Sequence, residues 1–169
     1  MAKENVQEYL VYRIAKYGGL RLNEIMQLTK GDIREVDGVW VMDVNVKGDK
    51  RIKNKSSIRL VPVHSALLDE LLEYVETLND DTTELFSKSS DAFSKYFRRS
   101  IKPQITEDSS KVFYSLRHNF ADALVQADVR VEHIAQLMGH SQIQSMTMSV
   151  YAQKINVKLL IEQVQKIYL

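Results

Sequence analysis

Two short stretches of alternating, β-branched sequence constrain the fold of this chain more than any other feature. The stretches VWVMDVNV (39–46) and IRLVPV (58–63) each predict a strand, and Pro62 places the second one at a sheet edge or near its own end. The long connection between them carries a basic cluster, and we expect it to form a further short strand with a flexible tip. The pattern therefore predicts a small antiparallel sheet near the N-terminal third of the chain.

Helical periodicity accounts for most of the remaining sequence. Leu116, Phe120 and Leu124, for example, recur every four residues along one face of a predicted helix. Gly18-Gly19 ends the first helix, and Gly139 is placed to end a later one in the left-handed conformation. The helical stretches cover 5–17, 20–28, 65–78, 89–101, 111–126, 129–140, 141–153 and 156–169. The fold class is therefore α+β and mostly helical.

The composition favours one globular domain in a reducing compartment. With 169 residues, 44% of them hydrophobic, the chain can bury one sizeable core. It contains no cysteine, which excludes disulfides and thiolate metal sites and favours the cytoplasm. The opening MAKENVQEYLV lacks the apolar run of a signal peptide, and no stretch is long enough to span a membrane. We therefore expect a cytoplasmic protein that has no membrane partner.

Charge is distributed unevenly, although the formal net charge is only +1. Six basic residues and a single acid lie between Lys47 and Arg59. The stretch KYFRRSIK (95–102) forms a second basic cluster with interleaved aromatic residues, whereas seven acids and no base occur from Asp69 to Glu84. This distribution predicts one positive and one acidic face.

The helix that starts near Ser115 carries two potential cations in its first turn, Arg117 and His118. Ser115 can cap that turn, but a cation there is disfavoured by roughly 0.3–1 kcal/mol unless an anion is bound. Arg21 repeats the arrangement at the start of its own short helix. Two arginines at two helix starts predict one anion held from both sides. The alternative for Arg21 is a surface ion pair, for instance with Glu24.

The order of the motifs identifies a family. In sequence they are GLRLNE (19–24), a lysine in the basic connection before RLVPV (59–63), LRH (116–118), LMGHS (137–141) and a tyrosine. From about Tyr9 to Lys154, the chain resembles the catalytic domain of the phage-integrase type of tyrosine recombinases. The resemblance implies that family's fold, a mostly helical domain with a small antiparallel sheet.

The resemblance also implies a reaction, in which DNA is cleaved and rejoined through a 3′-phosphotyrosine intermediate without metal or cofactor. The implied roles are nucleophile for Tyr151, phosphate clamp for Arg21 and Arg117, hydrogen-bond donor to the phosphate for His140, and general acid for Lys53, with Lys55 as the alternative. Glu24 and His118 are implied to be supporting residues. Members of the family usually have a histidine three residues before the second arginine, where this chain has Tyr114. We predict that Tyr114 contacts or positions the phosphate.

The resemblance further implies a domain organisation and partners. Family members carry an N-terminal core-binding domain, whereas the first arginine motif here begins about twenty residues after Met1. We therefore expect residues 1–169 to be a single catalytic domain, a fragment without that N-terminal domain. The implied partner is double-stranded DNA in a bacterial host, bound by a homotetramer at the nucleoid. The C-terminal helix, 156–169, docks either on a neighbouring protomer or back on its own chain.

Site-specific recombination, as performed by an integrase of a phage or another mobile element, is the function that the resemblance favours. One alternative is a nicking-closing activity like that of type IB topoisomerases, which use the same tyrosine chemistry. Another is a DNA-binding remnant without catalytic activity.

Overall fold

The structure is a computed structural model of the chain that describes residues 6–51, 54–140 and 156–168. The helices in these ranges are α1 (Val6–Gly18), α2 (Leu22–Met26), α3 (Ser65–Glu76), α4 (Ser90–Tyr96), α5 (Lys102–Ile105), α6 (Ser115–Gln126), α7 (Val131–Met138) and α8 (Val157–Val164). The strands are β1 (Ile33–Val36), β2 (Val39–Val44) and β3 (Arg59–Pro62). Short 3-10 turns cover Lys30–Asp32 and Lys55–Ser57, and a π-helical turn, Phe97–Ile101, joins α4 to α5.

The three strands form one antiparallel sheet in the order β1-β2-β3, which confirms the α+β, mostly helical fold class. Both predicted strands are present, and Pro62 is the last residue of the edge strand β3. The third strand is β1, which pairs with β2 across the turn at Asp37-Gly38. The expectation of a strand in the β2–β3 connection was wrong for its described residues, which contain only a 3-10 turn before β3.

Helix α1 lies at the centre of the helical part and contacts α2, α3 and α6. Its residues Leu10 and Ile14 are almost fully buried. The predicted stripe of α6 is confirmed, because Leu116, Phe120 and Leu124 all belong to the same core. Packing α6 against α1 brings the first turn of α6 close to the loop after α1, where the predicted phosphate clamp lies.

Two glycines end helices in the left-handed conformation and allow close packing at the same time. Gly19 has φ 62°, and a Cβ atom there would lie 2.3 Å from Cδ1 of Phe120. Gly139 has φ 60°, as predicted, and a Cβ atom there would lie 2.8 Å from Nη1 of Arg59. Both turns therefore exclude side chains for steric as well as conformational reasons.

Helix α8 packs against β2, β3 and α7 of its own chain, with Leu160 and Val164 buried. Nε2 of the buried His64 lies 3.2 Å from the carbonyl oxygen of Ile167 and ties the residues after α8 to the start of α3. Docking of the C-terminal helix on a neighbouring protomer stays a prediction. Among the described residues, no helix has the length and apolar character needed to cross a membrane.

Candidate active site

Arg117 lies in the first turn of α6 and is 2% exposed. Its Nη1 donates a 2.5 Å hydrogen bond to the carbonyl of Gly19, and its Nη2 donates to the carbonyl of Met138. Nη2 also lies 3.4 Å from Nε2 of His140. The guanidinium therefore joins the end of α1 to the end of α7, and its buried Nε has no hydrogen-bond partner among the described residues.

Arg21 precedes α2, and Glu24 holds it at two points. The Glu24 carboxylate accepts from the main-chain N–H of Arg21 at 2.9 Å and from its Nη1 at 2.7 Å. The same Nη1 lies 3.3 Å from Oγ of Ser57. The expected ion pair between Arg21 and Glu24 is thus present, but its carboxylate is buried rather than on the surface.

Arg59 is a second partner of Glu24, and its role was missed in the sequence, where it counted only as part of a basic cluster. It is 3% exposed, and its Nη2 donates to Oε2 of Glu24 at 2.9 Å. Arg59, Val61 and Val63 are all buried, at alternate positions of the predicted strand. An arginine in phase with the buried valines is the signal that could have identified it, because a buried cation requires a partner.

The site carries an excess of positive charge. Two guanidinium groups, those of Arg21 and Arg59, form ion pairs with the carboxylate of Glu24, and the charges of all three residues act on the nearby guanidinium of Arg117. Burial lowers the pKa of Arg117 to about 10, and the neighbouring positive charges of Arg21 and Arg59 act in the same direction. Although burial alone would raise the pKa of Glu24, its charged and hydrogen-bonded arginine partners lower it overall. The cluster is therefore suited to bind an anion at neutral pH.

His140 directly follows the left-handed Gly139, and its main-chain N–H closes the end of α7 on the carbonyl of Ala135 at 3.0 Å. Partial burial and the nearby guanidinium groups lower the pKa of His140 from its ordinary value. The imidazole is therefore mostly neutral at pH 7. We assign its Nε2 as the acceptor facing Arg117, which leaves Nδ1–H free to donate to a bound anion.

Tyr114 lies immediately before α6 and is 48% exposed. Its ring packs edge-on against His118, with the ring centroids 4.8 Å apart. Tyr114 and Arg117 also line a cavity of about 580 Å³, to which the second basic cluster contributes Arg98 and Lys102. The predicted contact of Tyr114 with the phosphate and the supporting role of His118 stay predictions, but Tyr114 and this basic cavity lie beside Arg117 of the guanidinium cluster.

Ser115 does not cap α6, contrary to the sequence-based expectation. Tyr114, the residue before it, already has helical dihedral angles, so Ser115 lies inside the first turn. Its hydroxyl instead accepts a 3.1 Å hydrogen bond from the main-chain N–H of Val112. The serine therefore orders the loop that leads into the helix.

The structure places only some of the predicted catalytic residues. Arg21, Arg117 and His140 come together with Glu24 in one cluster. Lys53 and Tyr151 lie outside the described residues, and so does the side chain of Lys55. Their roles as general acid, nucleophile and alternative general acid stay predictions. In the described ranges, no group of three or more histidine, aspartate or glutamate side chains is arranged to hold a metal ion.

The β2–β3 connection is anchored at its base. Lys50, a member of the first basic cluster, forms a buried ion pair with Asp32. Asp32 also accepts hydrogen bonds from the main-chain N–H of Thr29 at 2.8 Å and from Nδ2 of Asn45 at 2.7 Å. The ion pair of Lys50 therefore fixes the start of the connection, whereas the side chain of the next residue, Arg51, is exposed to solvent.

Comparisons with known proteins agree with this geometry. The family model described as "Phage integrase family" matches residues 1–156. The tyrosine recombinase XerA of Pyrococcus horikoshii is 26% identical over 169 residues, covering 96% of this chain and 55% of the relative. The tyrosine recombinase XerD of Staphylococcus saprophyticus is 25% identical over 153 residues, which cover 83% of this chain and 48% of the relative. The chain thus spans about half the length of the curated relatives it matches.

Two solved structures share the fold. The integrase from mycobacterium phage Brujita superposes with a TM-score of 0.68 at 16% identity, covering 99% of this chain and 53% of the other. The Tn1549 transposon integrase, solved in complex with circular intermediate DNA, gives a TM-score of 0.62 at 19% identity. The match covers 95% of this chain and 58% of the other.

Proposed function

This chain belongs to the phage integrase family, and we propose that it is the catalytic domain of a site-specific DNA recombinase. The observation that carries the proposal is a cluster of three guanidinium groups with a single carboxylate, which pairs with two of them, and with a neutral histidine beside the third, Arg117. A phosphodiester is an anion whose negative charge grows in the transition state of its displacement. An excess of fixed positive charge in a buried site stabilises that transition state.

In the proposed reaction, the hydroxyl oxygen of Tyr151 attacks the phosphorus atom of a DNA strand. A bond forms between the tyrosine oxygen and phosphorus, the tyrosine proton passes to solvent water, and the bond from phosphorus to the 5′-oxygen breaks. The leaving oxygen takes a proton from Lys53, or from Lys55 as the alternative, and becomes a 5′-hydroxyl group. Rejoining reverses these steps with the 5′-hydroxyl of another strand, so the phosphodiester energy is conserved without ATP.

The described residues provide the binding part of this reaction. Arg117 has five guanidinium N–H groups. The carbonyls of Gly19 and Met138 and Nε2 of His140 accept from three of them, which leaves two. The remaining N–H groups of Arg117, together with Arg21 and Nδ1–H of His140, bind the non-bridging phosphate oxygens. In the low dielectric around a buried arginine, each of these hydrogen bonds is stronger than it would be in water.

We further propose that the substrate is double-stranded DNA and that four copies assemble on it. The basic cavity beside Tyr114 receives the DNA backbone next to the scissile phosphate, since Arg98 and Lys102 line it. Residues 1–169 act as one catalytic domain. In the assembled state, the residues from 156 onward leave their packing on β2, β3 and α7 of the same chain and dock on a neighbouring protomer. A location in the cytoplasm, at the nucleoid, follows from this substrate.

A random library of nicked duplexes tests the proposal without knowledge of the target site. The nick lets the released fragment diffuse away after cleavage, so the full-length protein stays covalently attached to its DNA in a denaturing gel. We expect an adduct that disappears in Tyr151→Phe. DNA binding without any adduct would contradict catalysis and favour the DNA-binding remnant. Relaxation of supercoiled plasmid without exchange between two recovered sites would favour the topoisomerase-like alternative.

A further inference from the structure

Arg59 is a buried cation that adds charge to the site but contacts no group that the proposed reaction uses at the phosphate. Its side chain is 2% exposed, and its guanidinium donates to three acceptors, two in distant segments and one in the turn directly before β3. Nε donates to the carbonyl of Leu137 at 2.7 Å, Nη1 to the carbonyl of Ser57 at 2.8 Å, and Nη2 to the carboxylate of Glu24 at 2.9 Å. All three are short, charge-assisted hydrogen bonds in a planar arrangement that only an arginine provides.

Each accepting segment adjoins a residue with a proposed role in catalysis. Glu24 holds Arg21 at two points, through the main-chain N–H and Nη1. Ser57 ends the 3-10 turn that leads from the lysine-bearing connection into β3. Leu137 lies three residues before His140, at the end of α7. Arg59 therefore lies where three elements meet: helix α2 with Arg21 before it, the β2–β3 connection, and the turn after α7 that carries His140.

The packing around Arg59 is tight on the histidine side. A Cβ atom at Gly139 would lie 2.8 Å from Nη1 and 3.1 Å from Cζ of Arg59. The guanidinium is thus in direct contact with the turn that presents His140. Together with Arg117 and Arg21, its charge also contributes to the lowered pKa of His140.

We propose that Arg59 is a positioning residue for strand cleavage, which fixes the Arg21 helix, the lysine-bearing connection and the His140 turn in one relative geometry. The inference rests on the proposed function, because it concerns the groups that surround the phosphate in that reaction. A misplacement of about 1 Å in such a site costs about 100-fold in rate. Arg59 therefore acts on the rate of cleavage rather than on the affinity for DNA.

The test compares two variants of Arg59 with a matched control in the full-length protein. Arg59→Lys keeps the positive charge but loses the planar fork, and Arg59→Met loses both. Arg34→Met is the control, because Arg34 also pairs with a carboxylate, Asp43, but on β1 at the other edge of the sheet. For each protein we would measure the rate of adduct formation on a nicked duplex recovered from the library, the Kd for that duplex and the unfolding midpoint. A pH titration of the His140 imidazole by NMR gives a readout that does not depend on activity.

We expect both Arg59 variants to form the adduct about 100-fold more slowly with an unchanged Kd, while Arg34→Met keeps the wild-type rate. His140 should titrate at higher pH in Arg59→Met and close to the wild-type pH in Arg59→Lys, which retains the charge. If Arg59→Met does not fold, Arg59→Lys decides the question.

Wild-type cleavage by Arg59→Lys would overturn the inference while leaving the proposed function intact. The inference would also be overturned if a smaller folded fraction of Arg59→Lys fully accounts for its slower rate of adduct formation. Absence of an adduct in the wild-type protein would overturn the proposed function, and this inference with it.

Discussion

Glu24→Ala removes the carboxylate that Arg21 and Arg59 share. Three hydrogen bonds are lost with it: two to Arg21, at 2.9 and 2.7 Å, and one to Arg59, at 2.9 Å. The two arginines differ in what replaces the carboxylate. The side chain of Arg21 is 23% exposed and can be hydrated, whereas that of Arg59 is 2% exposed and stays buried without a counter-charge.

The expected cost follows from this difference. Breaking a buried ion pair from one side costs about 3–5 kcal/mol, because the remaining charge is uncompensated. The partly exposed pair with Arg21 adds little to this. Glu24→Gln keeps an acceptor oxygen and loses only the charge, so we expect about 1.5–3 kcal/mol. In a domain of this size each kcal/mol lowers the midpoint by about 2–4 °C, so Glu24→Ala should melt on the order of 10 °C below wild type.

Urea unfolding followed by far-UV circular dichroism measures these free energies. The double variant Glu24→Gln, Arg59→Met completes a double-mutant cycle, because it removes both charges of the pair. We expect it to be more stable than the sum of its single variants predicts, by about 1–3 kcal/mol. A loss below 1 kcal/mol in Glu24→Ala, or strict additivity in the cycle, would refute the view that Arg59 depends on Glu24 for its charge balance.

Three further predictions concern other parts of the site and fold. An alanine in the left-handed conformation costs roughly 1–2 kcal/mol. Gly139→Ala should destabilise the protein by more than this, because its Cβ atom would also meet Arg59. In the same urea assay, the control Gly38→Ala should show the backbone strain alone, because Gly38 has φ 79° and open space around it. Nδ1 of His64 caps α3 by accepting a 2.9 Å hydrogen bond from the main-chain N–H of Ala66. Burial lowers the pKa of His64 below its ordinary value of 6.5, so its contribution to stability is complete above pH 6.5 and is lost as the pH falls below it. In His64→Asn, which keeps a capping acceptor, thermal melts should therefore depend less on pH between 7 and 5, and an unchanged dependence would contradict this. If the Tyr114 hydroxyl contacts or positions the phosphate, as we propose, Tyr114→Phe should slow adduct formation and Tyr114→His should change the pH profile of that rate. If neither variant differs from wild type at any pH, the position has no catalytic role.

Much of the fold could be predicted because its signals are local. Helix periods, the glycine that ends α7 and the two alternating stretches each depend on a few neighbouring residues. Strand β1 was missed because IREV is short and has two charged residues at its centre. The neighbouring Asp37-Gly38 pair, with φ 52° and 79°, is the turn signal that could have indicated it.

The site was predictable only in part, because hydrogen-bond partners that are distant in sequence leave no local pattern. Arg21 and Arg117 were recognised by motif, but the carbonyls that hold Arg117 are 98 and 21 residues away along the chain. Arg59 illustrates the same difficulty, since its partner Glu24 is 35 residues away. A charged residue within a basic cluster suggests solvated surface until tertiary packing shows otherwise.

The attachment of Arg117 has a genetic consequence. Its hydrogen bonds to Gly19 and Met138 go to main-chain carbonyls, which every amino acid carries. Replacing the side chain of Met138 therefore leaves an acceptor in place, whereas replacing Gly19 moves the chain path that delivers its carbonyl. A saturation-mutagenesis screen of this domain should find intolerance at the two helix-ending glycines, whereas the buried position 138 should accept other apolar side chains of similar size. Two glycines, which carry no side chain, would then mark the position of Arg117, the proposed phosphate clamp.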